Sequence, residues 1–112
     1  MDISFQNKKL EKLVSDEAKL FKELGKLRAK LLLKRIDRLS IIETLEEARN
    51  LPGNFHELKG NRKGQWACDL DQPYRLIFEP HEKPIPTDVR GCYIWLEIKA
   101  IEIIEITNYH GK

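Results

Sequence analysis

Only two cysteines occur in the 112 residues, Cys68 and Cys92, and they form no Cys-x-x-Cys pair. That usage offers neither a zinc site nor a disulfide framework; both lie in strand-like surroundings that point to buried, reduced thiols. Long apolar runs are missing too. No stretch reaches the roughly 18 to 20 residues of a membrane span, and the amino end lacks the charged and apolar regions of a secretion signal. The expectation is a cytoplasmic protein without a membrane partner. No serine or cysteine nucleophile stands beside a base, no metal-ligand spacing occurs, and there is neither an internal repeat nor a low-complexity tract. These gaps set aside metal-dependent and acyl-enzyme chemistry and leave reactions that need only protons and charge.

What is present describes an ordinary globular chain, 41% hydrophobic and 34% charged. Its length fits a single domain over residues 1–112, with one core. The net charge of +2 is too small to name a nucleic-acid partner. Its distribution is more telling: Lys59, Arg62, Lys63 and Arg75 face only Asp69 and Asp71 along that segment, while Glu43, Glu46 and Glu47 crowd together upstream. A local basic surface attracts phosphate even on a nearly neutral chain.

The first half has helical periodicity. Leu10, Leu13, Val14, Phe21 and Leu24 recur at helical steps before Gly25, and Leu32, Ile36, Leu39, Ile42 and Leu45 mark a second run. Ser40 with Glu43 has the form of a capping box, predicting a break there into a long and a short helix. Leu51-Pro52-Gly53-Asn54 ends the helical half. Beyond it the period becomes two. Trp66, Cys68 and Leu70, then Tyr74, Leu76 and Phe78, alternate around the Asp71-Gln72-Pro73 turn as an antiparallel hairpin. Pro80, Pro84, Pro86 and Gly91 mark an irregular loop; apolar residues resume over Cys92–Ile98, and a last strand runs from about Lys99 to Thr107. Helices followed by strands predict an α+β fold with N-terminal helices on one face of a C-terminal antiparallel sheet. If Tyr74, Leu76 and Phe78 enter the core, Arg75 points from the uncovered face.

The last strand breaks directly into Asn108-Tyr109-His110. Termini usually fray into small or charged residues, so a tyrosine and a histidine placed there ask for a reason. With His56, Lys59 and Arg75 they make a set suited to RNA cleavage, in which the 2′-hydroxyl attacks the neighbouring phosphate and the enzyme positions the bond and handles protons and charge. Histidine exchanges protons near neutrality, Arg and Lys balance phosphate charge, and Tyr can stack on an unpaired base. No cofactor and no metal is needed. The plainer readings are a surface histidine at His56, an aromatic plug at Tyr109 and a core tryptophan at Trp66; His81 receives no role.

Four pieces in order, Leu51-Pro52-Gly53, His56-x-Leu58-Lys59-Gly60-x-Arg62-x-Gly64-x-Trp66, Tyr74-Arg75-Leu76-Ile77-Phe78 and Glu105-Ile106-Thr107-Asn108-Tyr109-His110, resemble the HigB-type killer toxins of the RelE/ParE superfamily. The resemblance covers about the last sixty residues. It implies a bacterial type II toxin that cuts messenger RNA on the translating ribosome. It implies catalytic roles for His56, Arg75, Tyr109 and His110, and substrate contacts from Lys59 and Asn108; the local basic surface adds Arg62 and Lys63 as expected substrate contacts. The family typically has aspartate where this chain has Asn108. An amide cannot serve as a base, so Asn108 is expected to position its neighbours.

The resemblance further implies a HigA-like helix-turn-helix antitoxin as partner, with operator DNA reached only through that antitoxin. Two other functions fit the same fold: a ParE-like inhibitor of gyrase, and a catalytically weak protein acting with its antitoxin as a co-repressor.

Overall fold

The computed structural model describes residues 1–108, and its helices begin on side-chain caps. Asn7 accepts the Leu10 N–H at 3.0 Å to start α1 (Lys8–Val14), and Asp16 accepts the Lys19 N–H at 3.2 Å to start α2 (Glu17–Leu24). Each cap satisfies an N–H that a helix start leaves bare. Gly25, at φ +85°, ends α2 and leads into α3 (Lys26–Ile41). Ala29, Leu32 and Leu39 are buried along one stripe of α3, with Ile36 half-buried between them.

The capping box lies one turn later than the sequence predicts. Thr44, not Ser40, caps the 3-10 turn Leu45–Asn50, its N–H donating to the Glu47 carboxylate at 3.1 Å. Ser40 stays inside α3 and donates back to the Asp37 carbonyl at 2.6 Å. The run Thr44-Leu45-Glu46-Glu47 has the same cap form as Ser40-Ile41-Ile42-Glu43; the break expected near Ser40 does occur, with α3 ending at Ile41, and the second run caps the short helix that follows.

Five strands make one sheet: β1 (Asp2–Phe5), β2 (His56–Glu57), β3 (Trp66–Asp69), β4 (Tyr74–Pro80) and β5 (Ala100–Asn108), in the order β1-β5-β4-β3-β2. The fold is α+β as expected, but the sheet is mixed rather than antiparallel throughout. β1 runs parallel to β5 with Ile3 opposite Ile101, and its four residues are too few to show a period ahead of a helical pattern. The apolar segment Cys92–Ile98 is not a strand: it holds a lone bridge from Tyr93 to Thr87 and the 3-10 turn Trp95–Glu97. The 66–78 antiparallel hairpin forms as expected, with Cys68 opposite Leu76.

The doubled isoleucine Ile103-Ile104 has a structural cause. The β4–β5 pairing slips there, so that Phe78 faces Ile103 while Ile77 faces Glu105, a bulge that inverts the alternation of β5. Before it Ile101 and Ile103 face the core; after it Ile106 does, and Glu105 and Thr107 turn to the outer face beside Ile77 and Arg75.

Helices and sheet enclose one core, with Leu20, Leu32, Leu39 and Leu45 against Trp66, Leu76, Phe78 and Ile103. Trp66 is a core residue, its ring 5.5 Å from Trp95 edge to face. Cys68 is buried there, and burial pushes its thiol far above the ordinary range. Cys92, expected to be buried, is exposed in the irregular segment ahead of the 3-10 turn Trp95–Glu97.

The outer face is not an open platform. Arg62 donates to Gln65 at 2.7 Å and Glu105 at 2.6 Å, Gln65 donates to Glu79 at 3.1 Å, and Lys83 to Glu79 at 2.9 Å. This polar strap runs over the middle strands, where Ala67 and Ile77 are wholly buried.

Candidate active site

Beyond the strap, at the turn end of the hairpin, the outer face opens into a recess of about 150 Å³ lined by Asn54, His56, Asp69, Gln72, Tyr74 and Arg75. Three local structures shape it. The chain after Pro52 turns through Gly53 (φ +119°) and Asn54 (φ +57°), conformations in which a Cβ is strained at Gly53 and an asparagine is tolerated at the next position. The Gly53 carbonyl accepts the Asp69 N–H at 2.8 Å, which pins this turn to β3. Arg35 of α3 reaches the Asp69 carbonyl at 2.8 Å and passes so near Gly53 that an added Cβ would lie 2.6 Å from its Nε.

The hairpin turn is held from the same helix. Arg28 donates to both carboxylate oxygens of Asp71 at 3.0 and 3.1 Å and lies 3.5 Å over the Tyr74 ring. The Asp71 hydrogen bond raises the Arg28 guanidinium further above its ordinary value. A planar guanidinium that is bidentate to one residue and stacked on another fixes both. Arg28 and Arg35 thus anchor Asp71, Tyr74 and Asp69 to α3 from behind the recess.

His56 is the best-defined functional group. Its Nδ1 lies 2.7 Å from the Asn54 carbonyl. A carbonyl only accepts, so Nδ1 carries the proton, and in the neutral ring Nε2 keeps its lone pair for a ligand. The Asn54 amide in turn donates to the Asp69 carboxylate at 3.3 Å. Arg75 lies directly opposite Asp69 across the β3–β4 ladder and opposite Thr107 on β5. The recess therefore combines a proton-exchanging imidazole, a guanidinium and a carboxylate.

Of the residues singled out in the sequence, His56 and Arg75 are brought together here. Asn108 ends β5 opposite Tyr74, at the margin of the recess. Lys59, exposed, precedes the 3-10 turn Gly60–Arg62 and does not line the recess. Arg62 belongs to the strap, and Lys63 lines a different hollow. Tyr109 and His110 lie outside the described residues. Asn54, Asp69 and Gln72 were not foreseen, although the polar cluster flanking the predicted turn was the available signal. Among the described residues no group of His, Cys, Asp or Glu is arranged to hold a metal ion.

The sequence matches the family of HigB-like toxins, described as RelE-like toxins of type II toxin–antitoxin systems, over residues 3–89. The chain belongs to that family. No curated protein matches it. As a HigB-like toxin it has an antitoxin as its implied partner, and the match spans the whole scaffold of the recess, from α3 through His56 to Arg75. No helix among the described residues of the toxin is long and apolar enough to cross a membrane.

Proposed function

We propose that this toxin is a ribosome-dependent messenger-RNA endonuclease that cleaves by attack of a ribose 2′-hydroxyl on the adjoining phosphate. The observation that carries the reading is the His56 imidazole, its Nδ1–H fixed on the Asn54 carbonyl and its Nε2 available in a recess shared with Arg75. In this mechanism Nε2 takes the 2′-hydroxyl proton as the oxygen bonds to phosphorus. Arg75 balances the charge that accumulates on the phosphoryl oxygens. His110, assigned by the family resemblance, protonates the departing 5′-oxygen. Tyr109 and Asn108 hold the ribose and base, and Lys59 meets the RNA backbone outside the recess.

Such a site is chemically modest, which fits a requirement for the ribosome. A surface that delivers the messenger in an in-line geometry supplies much of the rate enhancement by orientation. The antitoxin is proposed to be a HigA-like helix-turn-helix protein, through which the complex reaches operator DNA, and the toxin acts in the cytoplasm.

The division of labour is tested with RNA carrying sulfur at the 5′-leaving position, a group that departs without a general acid. Activity of His110→Ala is expected to be restored on this substrate while His56→Ala stays slow; the opposite pattern exchanges the two roles. If wild-type toxin leaves messenger intact on programmed ribosomes yet arrests growth, the gyrase-directed reading replaces this one.

A further inference from the structure

A second hollow of about 570 Å³ lies on the other side of β2 and is lined by Arg49, Glu57, Lys63, Arg90, Tyr93 and Trp95, among others. The two residues of β2 alternate, so His56 borders the recess on one side of this edge strand and Glu57 borders the hollow on the other. The carboxylates lining the hollow, Glu46 and Glu57, are both paired with Arg49, and Asp88 in the adjoining loop accepts the backbone N–H groups of Arg90 at 2.8 Å and Cys92 at 3.0 Å. Lys63 and Arg90 are exposed, and no carboxylate stands within ion-pair distance of either among the described residues. Lys63 is held 5.5 Å from the centre of the Tyr93 ring, which packs on Trp95 at 5.1 Å.

We infer that this hollow is an extension subsite for single-stranded RNA, taking nucleotides that flank the bond held at His56 and Arg75. Lys63 and Arg90, without carboxylate partners among the described residues, beside the half-buried Tyr93 ring fit phosphodiester groups and an unpaired base, and β2 is short enough for a strand to pass around its edge. An acidic peptide would use the cations but not the Tyr93 ring or the continuity with His56. Arg90, Tyr93 and Trp95 lie beyond residue 89, where the family match ends, so the subsite is argued from this chain's own residues.

The inference rests on the nuclease reading for its biological meaning, and its test is independent of cleavage. Fully 2′-O-methylated RNA, which has no attacking hydroxyl, is titrated against wild type and the double variant Lys63→Ala/Arg90→Ala at several salt concentrations, as a trinucleotide and as a longer strand. Both substitutions are on exposed side chains, and equal thermal melting confirms the fold. For the longer strand the variant is expected to lose about 1.4 from the magnitude of the log K against log salt slope, roughly 0.7 per cation, while trinucleotide binding is unchanged. Equal slopes for both proteins on the longer strand overturn the inference. So does unchanged RNA binding accompanied by weakened antitoxin or ribosome binding, which assigns the patch to those partners. Messenger cleavage by wild type on programmed ribosomes is measured alongside: RNA binding lost without any cleavage removes the nuclease reading and keeps the subsite, and cleavage with equal slopes does the reverse.

Discussion

Arg62 donates to Glu105 at 2.6 Å and to Gln65 at 2.7 Å, so its charge is balanced before any phosphate approaches; Arg75 lines the recess together with His56. The sequence shows both as basic residues in one segment; only the bulge in β5, which brings Glu105 onto the outer face, separates their roles. Glu105→Gln should release Arg62. RNA binding is then expected to steepen in salt dependence by roughly 0.7, with a stability change under about 1 kcal/mol because the ion pair is more than a third exposed. Salt titration and urea unfolding of the variant measure both, and an unchanged slope contradicts the assignment. The cysteines give a second test at this scale. Burial keeps Cys68 a protonated thiol, so a thiol-alkylating reagent at mildly alkaline pH is expected to modify Cys92 alone in the folded protein and both in denaturant. Rapid modification of Cys68 in the native state would show that the core opens there.

At the scale of elements, the recess depends on two turns held from behind by α3. Gly53→Ala should cost about 1–3 kcal/mol, since φ +119° is unfavourable for alanine and the new Cβ meets Arg35. Urea denaturation measures the loss; a ΔΔG near zero would mean that the turn relaxes freely. Arg28→Ala removes a partly buried bidentate pair together with the contact to Tyr74, and its larger effect is expected on RNA cleavage, because the 71–74 turn forms one wall of the recess. Cleavage equal to wild type would show that the wall holds without Arg28. Here the limits of sequence reading are physical. The hairpin was legible because Trp66, Cys68 and Leu70 alternate with Gln65, Ala67 and Asp69 ahead of a turn, and Gly25 marked a helix end because glycine accepts the φ of +85° found there. β1 was not, since four residues carry no distinguishable period. The contact of Arg35 with Asp69 was also invisible, being a long-range hydrogen bond that no local spacing encodes. The break expected near Ser40 is present, since α3 ends at Ile41 and a short 3-10 turn follows, but the cap itself is Thr44 with Glu47.

For the whole molecule, the helices cover one face of the sheet and the polar strap closes the middle of the other, leaving access to chemistry at the hairpin-turn end. His56 and Arg75 were legible as a pair because the resemblance named both; Asn54 and Asp69 were not, because they gain meaning only when the Gly53 turn folds against β3. The central claim is that this recess cuts RNA through a 2′-hydroxyl. It is tested most directly by incubating purified toxin with ribosomes programmed with a defined messenger and determining the chemistry of both new ends. Wild type should leave a 2′,3′-cyclic or 3′-phosphate and a 5′-hydroxyl, His56→Ala should be slower by roughly 10²–10⁴-fold, and Arg75→Ala by roughly 10²–10³-fold. A 5′-phosphate with a free 3′-hydroxyl, or undiminished cleavage by both variants, would contradict it.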